Sequence, residues 1–98
     1  MIRIYNDNGV YAPVILCDIC KGHIKEAQDG AVISLILEAQ TGDMTEFFSV
    51  HKGECQQKAE EKLSFRGKKV GWQELNTHLL YLCKNTGLSV KEMKRLEK

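Results

Sequence analysis

The sequence predicts a mixed α+β fold. Three observations lead there: β-prone runs broken by turn residues fill the first half, apolar residues at helical spacing fill the second, and two pairs of sulfur- and nitrogen-bearing side chains, Cys17-x-x-Cys20 and His51-x-x-x-Cys55, stand around the change of period. At 98 residues the chain is expected to form one domain, residues 1–98, whose modest core a cross-link would strengthen.

The first element is an N-terminal β-hairpin. "IRIY" and "VYAPVIL" are β-prone runs separated by "NDNG", and its Asn8-Gly9 pair tolerates the positive φ of a tight turn. Pro13, the single proline, has no N–H to give a ladder, so its strand belongs at an edge or carries a bulge. After the cysteine pair, "AVISLILEA", "QTGD" and "MTEFFSV" predict a second hairpin turning at Gly42. Ile33, Leu35 and Leu37 then share one side of its first strand, and Met44, Phe48 and Val50 one side of the second.

From about Lys52 the period changes. Cys55, Ala59 and Leu63 recur every four residues along one helical face, and "SFRGKK" ends that helix with Gly67 as the stop. "WQELNTHLLYLCK" then repeats Trp72, Leu75, Leu79, Leu82 and Cys83 at helical spacing, stopping at Gly87. On that helix Cys83 is expected as a small core residue and His78 as a surface one. Ser89 and Glu92 form a capping box and Leu88 is spaced to staple onto Met93, which predicts a last helix from Val90 to about Leu96. Val90, Met93 and Leu96 make a narrow apolar stripe on it. The stripe either folds back onto Trp72 and Leu79 or pairs with a second copy.

With 43% apolar and 28% charged residues the composition is that of a globular protein rather than a disordered or fibrous one. No run approaches the roughly 18 apolar residues that span a bilayer, and "MIRIYNDNG" is too polar for a signal peptide. A cytoplasmic address and reduced thiols are therefore expected, and reduced thiols close in sequence point to a metal. Charge is uneven. Residues 1–50 hold three Lys and Arg against seven Asp and Glu, and residues 51–98 hold eleven against six.

Zinc wants four soft or borderline donors at tetrahedral corners, with bonds of about 2.3 Å to sulfur and 2.0–2.1 Å to imidazole nitrogen. Two residues between Cys17 and Cys20 let a tight turn aim both sulfurs at one point, with Lys21-Gly22 as its exit. Three residues between His51 and Cys55 would put both side chains on one face of a helical turn, whose positive end would stabilise the surplus charge of three thiolates. His23, three residues after Cys20, competes with His51 for the third place; His51 is favoured because it brings the helix to the metal. A redox Cys-x-x-Cys normally opens a helix inside a βαβ unit, and here Gly22 and a polar stretch follow instead.

A strand, a cysteine turn, a hairpin and a helix whose start carries the second ligand pair make residues 14–63 resemble a treble-clef zinc finger, with "FFSVHKGECQQ" similar to that family's passage from hairpin into helix. The resemblance implies a structural zinc held by Cys17, Cys20, His51 and Cys55. Joined to the elements read above, it gives the expected α+β fold: an N-terminal β-hairpin, a treble-clef zinc unit and a C-terminal pair of helices, the last over residues 70–98. The family's usual second pair has two intervening residues, where this chain has three.

A site closed by four protein ligands argues for structure rather than catalysis. No nucleotide-binding glycine loop, nucleophile elbow or paired-histidine motif is present, and the expectation is no enzyme. The leading expectation is a small zinc protein acting as a protein-interaction or assembly module. The alternative is nucleic-acid binding: residues 81–96 weakly resemble a helical segment of winged-helix regulators. Lys84, Lys91, Lys94, Arg95 and Lys98, with Arg66, Lys68 and Lys69, would then face phosphates.

Overall fold

A computed structural model describes residues 1–36, 44, 46–64 and 69–97. Within them the chain runs β1 (Ile2–Asp7), β2 (Val10–Ile15), β3 (Gly30–Ile36), β4 (Phe47–His51), α1 (Glu54–Ser64), β5 (Lys69–Glu74), α2 (Leu75–Asn85) and α3 (Val90–Leu96). The class is α+β, as the periodicities predict. The expected turn at Gly42 and helix stop at Gly67 lie outside the described residues, as do Leu37, Arg66, Lys68 and Lys98.

β1 and β2 form the predicted hairpin, closed by Asn8 and Gly9 at φ 52° and 88°, the left-handed pair that matches the twist of the flanking strands. Pro13 sits in this two-stranded sheet, where every strand is an edge. The second sheet has the order β4-β3-β5, all antiparallel.

β5 is the main departure from the sequence expectation. Trp72 was expected to begin a helix, yet Lys69–Glu74 is extended, with Ile33 opposite Trp72 and Leu35 opposite Val70, and α2 starts only at Leu75. Spacing from Trp72 to Leu75 and Leu79 fits a helix, but Val70 and Trp72 also alternate as in a strand. The unpaired edge of β3 decides between the two periods, because its backbone groups need partners. A third strand also makes β3 central. Ala31, Val32 and Ile33 are consecutively buried, so the one-sided pattern expected of this strand gives way to burial on both faces.

The core joins these residues to Cys17, Ile24, Val50, Ala59 and Leu75. α1 lies across the sheet and contributes Ala59 with partly buried Cys55 and Leu63. Gly30 opens β3 where no side chain fits, since a Cβ there would stand 2.6 Å from Leu75 Cδ2. Met44, expected on β4, precedes it and is almost wholly exposed.

α2 ends as predicted. Gly87 takes φ 76°, Leu88 N–H donates to the Cys83 carbonyl at 2.9 Å and Gly87 N–H to that of Lys84 at 3.2 Å, the paired bonds of a Schellman stop. Glu92 N–H donates to Ser89 Oγ at 3.2 Å, capping α3. α3 does not fold back as one expectation had it: it has no buried residue, and Val90 and Leu96 are exposed. Cys83 is half-exposed rather than a core residue, and His78 is half-buried with its ring 4.9 Å from that of Phe47.

Candidate metal site

Cys17, Cys20, His51 and Cys55 converge. One donor atom from each lies within 4.8 Å of all the others, and this is a group that could hold a metal ion. Sulfur–metal bonds of about 2.3 Å imply tetrahedral edges of about 3.8 Å between sulfurs. The distance from Cys20 Sγ to His51 Nδ1, 3.3 Å, already approaches the corresponding sulfur–nitrogen edge of about 3.6 Å.

The first pair is aimed by a tight turn. Cys17 N–H donates to the Gly22 carbonyl at 2.8 Å and Lys21 N–H to the Cys17 carbonyl at 3.0 Å, so the chain returns on itself between the two thiols. The left-handed residue of this turn is Lys21, at φ 66°, and not the glycine beside it. Gly22 has another use. Its N–H donates to Cys20 Sγ at 3.4 Å, and a Cβ on it would approach that sulfur to 3.3 Å. Ile19 and Cys20 N–H groups point at Cys17 Sγ, at 3.4 and 3.5 Å.

The second pair does not share a helical turn. His51 is the last residue of β4, Gly53 reverses the chain at φ 90°, and α1 begins at Glu54, so only Cys55 is helical. Three intervening residues are what a strand-to-helix corner requires. Cys55 still lies in the first turn of α1, near the positive helix end that favours a thiolate.

The imidazole of His51 is oriented from behind. Its Nε2 lies 3.2 Å from the backbone carbonyl of His23, and since a carbonyl only accepts, Nε2 carries the hydrogen and Nδ1 presents its lone pair to the sulfurs. His23 thus meets the site through its backbone. Its ring, weighed as a competing ligand, is not among the converging donors.

Asp18 is the residue that the spacing argument missed. Its N–H donates to the Ser49 carbonyl at 2.8 Å while its Oδ2 accepts the Ser49 N–H at 2.8 Å, and Ser49 is buried. This double bond of backbone and carboxylate lashes the cysteine turn to β4 two residues before His51. An acidic residue beside a cysteine pair carries no signal for such a role in sequence.

The electrostatics fit a cation. Burial pushes the Cys17 thiol up, but N–H groups of Cys20, His51 and Ile19 and the His51 side chain outweigh it, leaving the pKa lowered from 9.0 to about 6. Cys55 is raised to about 11, first by burial and then by the thiol groups of Cys17 and Cys20. Without a cation the cluster accommodates a thiolate at Cys17 but resists one at Cys55. A divalent ion supplies the charge that lets all the sulfurs ionise together.

A separate open cleft of about 400 Å³ lies against β3 and β5, bounded by Phe47, Trp72 and His78. None of the converging donors lines it. Among the described residues no helix is long and apolar enough to cross a membrane. No family model matches the chain, and neither a curated protein nor a solved structure does so.

Proposed function

We propose that the chain is a small zinc protein of the treble-clef kind, cytoplasmic and not an enzyme, in which a structural metal organises a protein-interaction or assembly module. The observation that carries this reading is the convergence of Cys17, Cys20, His51 and Cys55 with the His51 lone pair turned inward. Three thiols and an imidazole suit zinc, and four protein donors leave no position for water or substrate. The order of cysteine turn, β3–β4 pair and ligand-bearing α1 supports the treble-clef assignment.

The interaction role draws support from what the fold leaves wet. Apolar side chains stand exposed on β1, β2 and α3, away from the core. Nucleic-acid binding draws on Lys84, Lys91, Lys94 and Arg95, but Glu92 already engages the Arg95 guanidinium at 2.8 Å. Titration with random duplex DNA separates the two: no binding at low salt removes the nucleic-acid reading, and a steep salt slope replaces the interaction reading with it.

Metal analysis tests the site. One zinc per native chain is expected, with the thiols of Cys17, Cys20 and Cys55 becoming titratable only after chelation. His51→Ala should lose stoichiometric zinc and His23→Ala should keep it, because the latter supplies only a main-chain carbonyl. The reverse result would transfer the third ligand to His23.

A further inference from the structure

The N-terminal hairpin meets the body only at its base, where Ile15 packs against the core, and projects beyond it. Among the described residues β1 and β2 pair with each other and join no other sheet. Ile2, Ile4, Tyr5, Val10 and Tyr11 are 55–69% exposed, on both faces of the ribbon. A lone two-stranded ribbon is marginal in water, and a free, apolar strand edge invites another strand.

Among the described residues only one of its two edges is uninterrupted. Leu16 N–H donates to the Met1 carbonyl at 2.7 Å and Asp7 faces Val10 across the turn, so by antiparallel alternation Arg3–Val14 and Tyr5–Ala12 exchange the inner bonds. Ile2, Ile4 and Asn6 on β1, and Tyr11, Pro13 and Ile15 on β2, therefore turn their backbone groups outward. On β2 that edge is interrupted: Pro13 has no N–H to offer in its middle, and the Ile15 carbonyl already accepts the Ile24 N–H at 2.9 Å, leaving Tyr11 beside the turn. On β1 it is open.

Charge selects the occupant. Within β1 and β2 the ionic groups are Arg3 and Asp7, on one strand and one face, two positions either side of Tyr5. The Asp7 carboxylate makes no hydrogen bond or ion pair among the described residues. A strand with this pattern complements itself when reversed.

We propose that β1 pairs antiparallel with β1 of a second copy, the two ribbons joining into one continuous sheet about a two-fold axis at Tyr5. Ile4 and Asn6 of the second copy exchange backbone bonds, and Arg3 stands opposite Asp7 of the second copy, twice by symmetry. Sliding the pair by two residues separates these charges. It also calls on the Ile2 carbonyl, which Arg3 Nη1 already holds at 2.9 Å. The inference rests on the interaction reading above and names its partner as the same chain.

Sedimentation of the zinc-loaded full chain tests it. A concentration-dependent dimer is expected. Arg3→Asp and Asp7→Arg should each weaken it about tenfold or more, since each sets like charges opposite one another at both ends. An equimolar mixture of the two variants should dimerise again, acidic strand against basic strand, and so should the double variant R3D/D7R, which restores the pairing should either single variant fold poorly. A monomer at all concentrations, or single variants that dimerise like the parent, overturns the self-pairing. Zinc content read on the same samples separates the failures: a zinc-loaded monomer defeats only this inference, whereas a metal-free chain defeats the zinc reading beneath it.

Discussion

Cys17 and Cys55 belong to one cluster and are displaced in opposite directions, to about 6 and about 11. Where the metal-free chain is kept folded, thiolate absorbance should therefore rise in well-separated steps near those values; a single step around 9 with the native circular dichroism retained would contradict the cluster. The stability consequences also oppose. Cys17 has a folded pKa below its unfolded 9.0, so its contribution is complete above pH 9 and lost as pH falls through 6. Cys55 has a folded pKa above 9.0, so its contribution is complete below pH 9 and lost as pH rises through 11. Metal binding must expel the Cys55 proton, and its apparent affinity should fall as the medium is acidified. Asp18 acts at the same scale through Ser49: Asp18→Ala should weaken zinc about 10-fold to 100-fold while leaving the donors in place, as competition with a chromogenic chelator would read.

At the scale of elements, the strand-to-helix corner and the central strand do most to place the donors. β4 delivers His51, Gly53 turns the chain, and α1 delivers Cys55, while β3 holds β4 in register through Gly30–His51 and Ala31–Val50. Gly30→Ala puts a methyl carbon 3.0 Å from Leu75 Cβ and 3.1 Å from Ile24 Cγ2. A loss of about 1–3 kcal/mol is expected in denaturant titration, because α2 would have to move off the sheet. α3 presents the opposite case. Ser89→Ala should cost about 1 kcal/mol of local helix stability and speed amide exchange in Val90–Leu96 only, since nothing in that helix is buried.

For the whole molecule, a metal bound at the cluster would take on a task that area cannot. The radius of gyration is 15.3 Å, against about 13 Å for a compact chain of this length, and the extents are 48 × 33 × 19 Å. An elongated chain with a small core has little burial to spare. The cysteine turn, β4 and α1 meet at the donors, so a bound ion ties the end of the hairpin to the sheet and its helix. Zinc can supply on the order of 10 kcal/mol of folding free energy. Chelation should accordingly abolish a cooperative thermal transition or lower its midpoint by tens of degrees; an unchanged midpoint would show the ion to be dispensable.

What the sequence determined by itself was local. Asn8-Gly9, Gly87, the Ser89 cap and the spacing of Cys17 with Cys20 act over a few residues, where backbone preference alone dictates geometry, and each is realised. His51 and Cys55 were legible as a pair for the same reason, although the corner between them was not. Tertiary structure decided what depends on distant partners. It turned Trp72 from a helical position into a strand beside Ile33, because an open sheet edge outweighs a local period. It placed the ring of His51, and not that of His23, among the converging donors, because the chain path at the Leu16–His23 bridge offers the site a carbonyl of His23. And among the described residues it left β1 bare along one side, which no pattern of residues could have announced, since exposure of an edge depends on where every other strand goes.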